Sequence, residues 1–175
     1  MLLAVDVYYR ESAAQVAGVA FSHWSDAKPE RIYRCAMDKV LDYEPGKFYL
    51  RELPCILRLL DAHDLAPETI IIDGYVDLGD APRPGLGRRL YNRLQGRVPV
   101  IGVAKSRFSG TPADAEISRG RSARPLFITS VGVELETARR NILAMHGRHR
   151  LPDLLRIADR ACRTSIGCNP DAAKL

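Results

Sequence analysis

Leu2-Leu3-Ala4-Val5-Asp6-Val7-Tyr8-Tyr9 decides how the rest of the chain is read. It is a short apolar run, rich in β-branched and aromatic residues, and it predicts a buried strand. One carboxylate stands in its middle. An unpaired buried carboxylate costs several kcal/mol, so Asp6 calls for a counter-charge or a metal ion. The pattern returns at Thr69-Ile70-Ile71-Ile72-Asp73-Gly74, where three isoleucines run straight into an Asp. Two apolar strands that each deliver one Asp point to two oxygen ligands meeting at one hard cation such as Mg²⁺. For either strand alone a second reading stays open: Asp73-Gly74 is a turn, and Asp6 sits in a buried ion pair.

Outward from these strands, residues 14–24 predict a second strand, linked to the first as a hairpin, and 31–37 a third. Leu50 to His63 carries Leu53, Ile56, Leu57 and Leu60 at helical spacing. Glu52 falls in its first turn, where complementing the helix dipole would be reason enough for it. A strand over 69–73, a Gly/Pro-rich loop over 74–86, a helix over 87–96 and a strand over 98–104 follow, the last running into Lys105-Ser106. Residues 108–123 show no pattern and predict a mobile loop. A short strand over 125–129, helices over 134–146 and 152–163, and a frayed tail over 164–175 complete the chain. An antiparallel meander followed by β/α units predicts one α/β domain over 1–175, with a mixed sheet flanked by helices. If strands one and four are neighbours, Asp6, Glu52 and Asp73 converge, as in ribonuclease H-like nucleases.

Of the 175 residues, 46% are hydrophobic and 27% charged, ordinary for a globular protein. No apolar run is long enough to span a bilayer, and the N-terminus enters a strand directly, so a cytoplasmic chain without a membrane partner is expected. Cys35, Cys55, Cys162 and Cys168 fit no zinc spacing and read as packed or free thiols. The net charge of +5 favours a polyanionic partner. The basic excess lies downstream of Asp73, in Arg83 to Arg97, Lys105 to Arg124 and Arg139 to Arg163. Solvated helix faces account for about half of it.

Four blocks resemble the endonuclease V family of deoxyinosine 3′-endonucleases. They are Val5 to Tyr9; Tyr43-Glu44-Pro45-Gly46-Lys47-Phe48-Tyr49-Leu50-Arg51-Glu52; Asp73-Gly74 through Leu86-Gly87 to Pro99-Val100-Ile101-Gly102-Val103-Ala104-Lys105-Ser106; and Leu135-Glu136-Thr137-Ala138 through Arg150-Leu151-Pro152 to Arg160. The resemblance implies a ribonuclease H-like fold. It also implies a Mg²⁺-dependent endonuclease (Mn²⁺ able to substitute) that cuts DNA or RNA 3′ to a deaminated purine in nucleic-acid repair; a monomer is expected. Asp6, Glu52 and Asp73 would be the catalytic metal ligands. Lys105 would neutralise charge at the phosphate. Tyr43, with Pro45 and Gly46 shaping its turn, would wedge the duplex open. Gly46, Phe48, Gly74 and Ser106 would contact the substrate, and core packing is the other reading of Phe48.

The chain departs from the family in two places. The family has Asp-Gly-x-Gly and then His-Pro-Arg, positions that touch the extruded base; here Val76 and Ala81 replace the second Gly and the His. The family also has a His completing its metal site before the Leu-Glu-Thr-Ala helix. Here Ser130-Val131-Gly132-Val133-Glu134 has none, and Glu134 is either a fourth metal ligand or a plain N-terminal helix glutamate. Two other readings remain open: a divergent nuclease with altered base preference, and a nucleic-acid-binding protein with weakened catalysis.

Overall fold

The computed structural model describes residues 1–10, 13–38, 48–79 and 83–164. β1 (Leu2–Arg10), β2 (Ala13–Phe21) and β3 (Arg31–Met37) form the expected meander, followed by α1 (Tyr49–Ala62) and β4 (Thr69–Asp73). The two-residue strands β5 (Asp77–Leu78) and β6 (Arg83–Pro84) make a small ribbon of their own. Then come α2 (Leu86–Arg93), β7 (Val100–Ala104), a 3₁₀ turn at Ala113–Ala115, β8 (Glu116–Ile117), β9 (Leu126–Val131), α3 (Leu135–Ala144) and α4 (Asp153–Arg163). The main sheet has the order β3-β2-β1-β4-β7-β9-β8. β1, β4 and β7 run parallel at its centre, and antiparallel strands flank them. This is the mixed sheet with helices that the sequence predicts.

Both faces of the central strands are covered, which is why they read as unbroken apolar runs. Leu3, Val5, Ile70 and Ile72 pack with Ile56 and Leu59 of α1 and Leu90 of α2. Leu2, Ala4, Ile71 and Ile101 pack with Ile142 of α3 and Leu154 and Ala158 of α4. Each fully buried isoleucine contributes about 1.5–3 kcal/mol. The Ile70–Ile72 run can therefore support a charged residue at its end.

Two local expectations are corrected. β2 stops at Phe21 instead of reaching Trp24, because the Asp26 carboxylate accepts the backbone N–H groups of Ser22 (3.1 Å) and His23 (2.8 Å) and closes a turn. Residues 108–123 are anchored, not mobile. Arg119 is buried, its guanidinium donating to the carbonyls of Met145 and His149, and β8 pairs with β9. Residues 165–175 of the expected tail lie outside the described residues. No described helix is long and apolar enough to cross a membrane.

Candidate active site

β1 and β4 pair from Leu2↔Thr69 to Val5↔Ile72. One step further along the same parallel register, Asp6 in the middle of β1 and Asp73 at the carboxyl end of β4 stand level and on the same face. Gly74 then turns the chain with φ +128°, a conformation that L side chains rarely adopt. Gly102 lets that corner approach β7, since a Cβ there would lie 2.5 Å from the Gly74 carbonyl oxygen.

Glu52 comes from the other face of the sheet. On α1 the buried positions are Glu52, Cys55, Ile56, Leu59 and Leu60, so the carboxylate occupies the first place of the helix's apolar stripe. It is 6% exposed. Among the described residues no cation pairs with it. Burial, then the charges of Asp6 and Asp73, hold its pKa well above the usual carboxylate range. Asp6 is raised to about 6, first by burial and then by the Asp73 charge; the Val7 N–H, 2.8 Å from Oδ1, works against this. The Asp73 charge thus adds to burial in opposing the ionisation of both Asp6 and Glu52.

Lys105, one residue beyond β7, places its Nζ 2.5 Å from Asp73 Oδ2. Burial disfavours its ammonium, but the hydrogen bond to Asp73 and the charges of Asp73, Asp6 and Asp159 outweigh this and raise its pKa. These groups line an open cleft of about 580 Å³, together with Phe48, Gly74, Tyr75, Ser106, Phe108, Asp159 and Arg163.

The expected residues thus divide as follows. Asp6, Glu52, Asp73 and Lys105 come together, with Phe48, Gly74 and Ser106 in the same cleft. Phe48 is 45% exposed, so it is no core residue. Glu134 does not join them, and the fourth-ligand reading is corrected. β9 runs antiparallel to β7, with Val131 opposite Val100. Its end therefore lies at the start of β7, the edge away from Asp73, and Glu134 is exposed ahead of α3. Tyr43, Pro45, Gly46 and Ala81 lie outside the described residues.

The fourth carboxylate in the cleft is Asp159 of α4, which the sequence reading does not single out. It is held by Arg163 at 2.8 Å and raises the pKa of Asp6. Its signal is faint: an i,i+4 Asp–Arg pair looks like a solvated helix face. Only its place beside the buried Leu154, Leu155, Ala158 and Cys162 marks the strip that meets the sheet.

Among the described residues no three His, Cys, Asp or Glu side chains stand close enough to form a finished metal cage. The donor set nonetheless fits a hard divalent cation. It is all carboxylate oxygen and includes a buried Glu52 with which no positive group among the described residues pairs.

The endonuclease V family model matches residues 1–132. The chain belongs to the endonuclease V family. Endonuclease V of Streptomyces avermitilis is 34% identical over 145 residues, covering 71% of this chain and 62% of that protein. The chain therefore spans about three fifths of the length of that relative. The crystal structure of endonuclease V from the same organism superposes with a TM-score of 0.70 at 29% identity, covering 93% of this chain and 79% of that one. Endonuclease V of Ciona intestinalis, solved in complex with a 24mer DNA containing an inosine followed by a ribo-adenosine, shares the fold at TM-score 0.71 and 20% identity, covering 93% and 84% of the two chains. The neighbours carry the ribonuclease H-like fold expected from the sequence.

Proposed function

We propose that this chain is a divalent-metal-dependent endonuclease that hydrolyses a phosphodiester bond 3′ to a deaminated purine, inosine, in DNA or RNA, in the service of nucleic-acid repair. The observation that carries this reading is the convergence of Asp6, Glu52 and Asp73 beside Lys105 in one open cleft. Membership in the endonuclease V family supports it. Asp6, Glu52 and Asp73 would hold Mg²⁺ or Mn²⁺, and Asp159 is placed to assist. When bound, such a cation supplies an activated water and neutralises charge that builds on the phosphoryl oxygens.

The chain's own groups do the rest. Lys105 keeps its proton, because Asp73 and its neighbours favour the ammonium. It is half exposed at the cleft floor, within reach of a phosphate, where its charge opposes the negative charge of the transition state. Arg163, pinned by Asp159, adds a second positive group on the α4 side. Phe48 and Leu86 give the cleft an apolar wall against which an unstacked base loses contact with water. Tyr43 is assigned the wedge beside that base.

The test is cleavage of an inosine-containing strand with Mg²⁺ against a matched adenine strand. Selective cutting is expected, with EDTA abolishing it. Unselective cutting would favour altered base preference, and binding without cutting a weakened nuclease. Tyr43→Ala is expected to lower the cleavage rate of duplex about tenfold and of single strand much less, since only the duplex must be held open; equal losses in a gel assay would remove the wedge role.

A further inference from the structure

We propose that Phe108 is the stacking wall for the extruded base and that Tyr75 is the residue that positions it, so that the pair supplies affinity for any base without reading its identity. This rests on the nuclease reading above and adds residues to the same cleft.

Phe108 follows Lys105 by three residues and lines the cleft that also contains Phe48. It is held from two sides. The Tyr75 hydroxyl donates to the Ser106 carbonyl at 2.8 Å and accepts the Phe108 N–H at 3.0 Å. Thr111 Oγ1 donates to the Phe108 carbonyl at 2.7 Å, closing the turn. The Tyr75 and Phe108 rings stand 6.2 Å apart at 60°, and the Arg83 guanidinium lies 5.9 Å from the centre of the Phe108 ring. A loop that would otherwise be free is thus bolted to the residue after Gly74, which fixes the ring relative to Asp73 and Lys105.

Two polar groups beside this wall, the Tyr75 hydroxyl and the Arg107 guanidinium, are already engaged. The Tyr75 hydroxyl serves the loop backbone. Arg107 is tied to Glu116 at 2.7 Å and to the Thr111 carbonyl at 2.9 Å. At Phe48, Leu78, Leu86 and Phe108 the cleft offers a base ring faces and aliphatic carbon. Every base has a π face, so stacking holds all of them alike, whereas identity needs donors and acceptors aimed at an edge.

Wild type, Phe108→Ala, Phe108→Leu and Tyr75→Phe are compared by fluorescence anisotropy in EDTA on three single strands carrying inosine, adenine or an abasic site at one position. Phe108→Ala is expected to weaken binding of the inosine and adenine strands about tenfold each and of the abasic strand less than about twofold. Phe108→Leu, which keeps the volume but has no π face, should follow it. Tyr75→Phe should lose about threefold on the base-bearing strands only, and in Mg²⁺ these losses should appear in KM more than in kcat. Equal weakening on the abasic strand, a changed inosine-to-adenine ratio or no weakening would overturn the assignment while leaving the nuclease reading intact. Failure of wild type to bind any of the three strands would overturn both.

Discussion

Asp73→Asn is expected to lower phosphodiester cleavage by on the order of 100- to 1000-fold or more, while leaving nucleic-acid affinity within about threefold. The substitution removes one charge and almost no volume. Asp73 ends β4 level with Asp6 and shares the cleft with Glu52, so losing its carboxylate takes away a hard oxygen ligand that the amide replaces poorly. Little else should change. The Lys105–Asp73 pair is more than a third exposed on both sides, so solvent screens it and its loss costs under about 1 kcal/mol. The packing that holds β4 comes from Ile70, Ile71 and Ile72, which the substitution does not touch. The freed Lys105 ammonium would be, if anything, more available to a phosphate. Single-turnover cleavage and anisotropy on the same strand make the check. Retained cleavage would remove Asp73 from the metal site, and a parallel loss of binding would make it a phosphate or folding residue.

The two strand carboxylates are legible in the sequence because each Asp follows four residues of strand-forming type, Leu2 to Val5 before Asp6 and Thr69 to Ile72 before Asp73. If those strands pair in parallel, the Asp residues are level. Glu52 is legible more weakly: a carboxylate at the head of an apolar helix stripe is out of place unless something draws it there. What escapes the sequence depends on direction and distance along the chain. Glu134 misleads because nothing in Leu126–Val131 says that β9 runs antiparallel, and direction alone decides which sheet edge the next residue reaches. Asp159 escapes because its ion pair with Arg163 is the ordinary dress of a surface helix. Tyr75 escapes because its partners are backbone groups more than thirty residues away, in a segment whose composition predicts a free loop. Side-chain periodicity reports burial, whereas such tethers leave no period to read.

Glu52→Gln should abolish most cleavage yet raise the melting temperature of the metal-free protein. Two effects compete at this residue. A carboxylate in a first helical turn gains about 0.3–1 kcal/mol from the helix dipole. Against it, Glu52 is almost wholly buried and faces Asp6 and Asp73, and its raised pKa shows that burial and repulsion win. The sign follows. With the folded pKa above the unfolded value near 4.5, the folded state binds the proton more tightly. The wild-type fold therefore carries no penalty from this group below about that pH. It loses stability as pH rises from there through the raised folded value. Glutamine does not titrate, so the advantage of the variant should grow with pH across that window. A gain on the order of 1–3 kcal/mol is expected at its upper end, at about 2–4 °C per kcal/mol for a chain of this size. Added Mg²⁺ should reverse the order by stabilising wild type through mass action and the variant far less. Thermal melts from pH 4 to 9, with and without Mg²⁺, decide the matter. A variant less stable than wild type at every pH, or equal stabilisation of both by Mg²⁺, would show that Glu52 is a structural residue and not a ligand waiting for its cation.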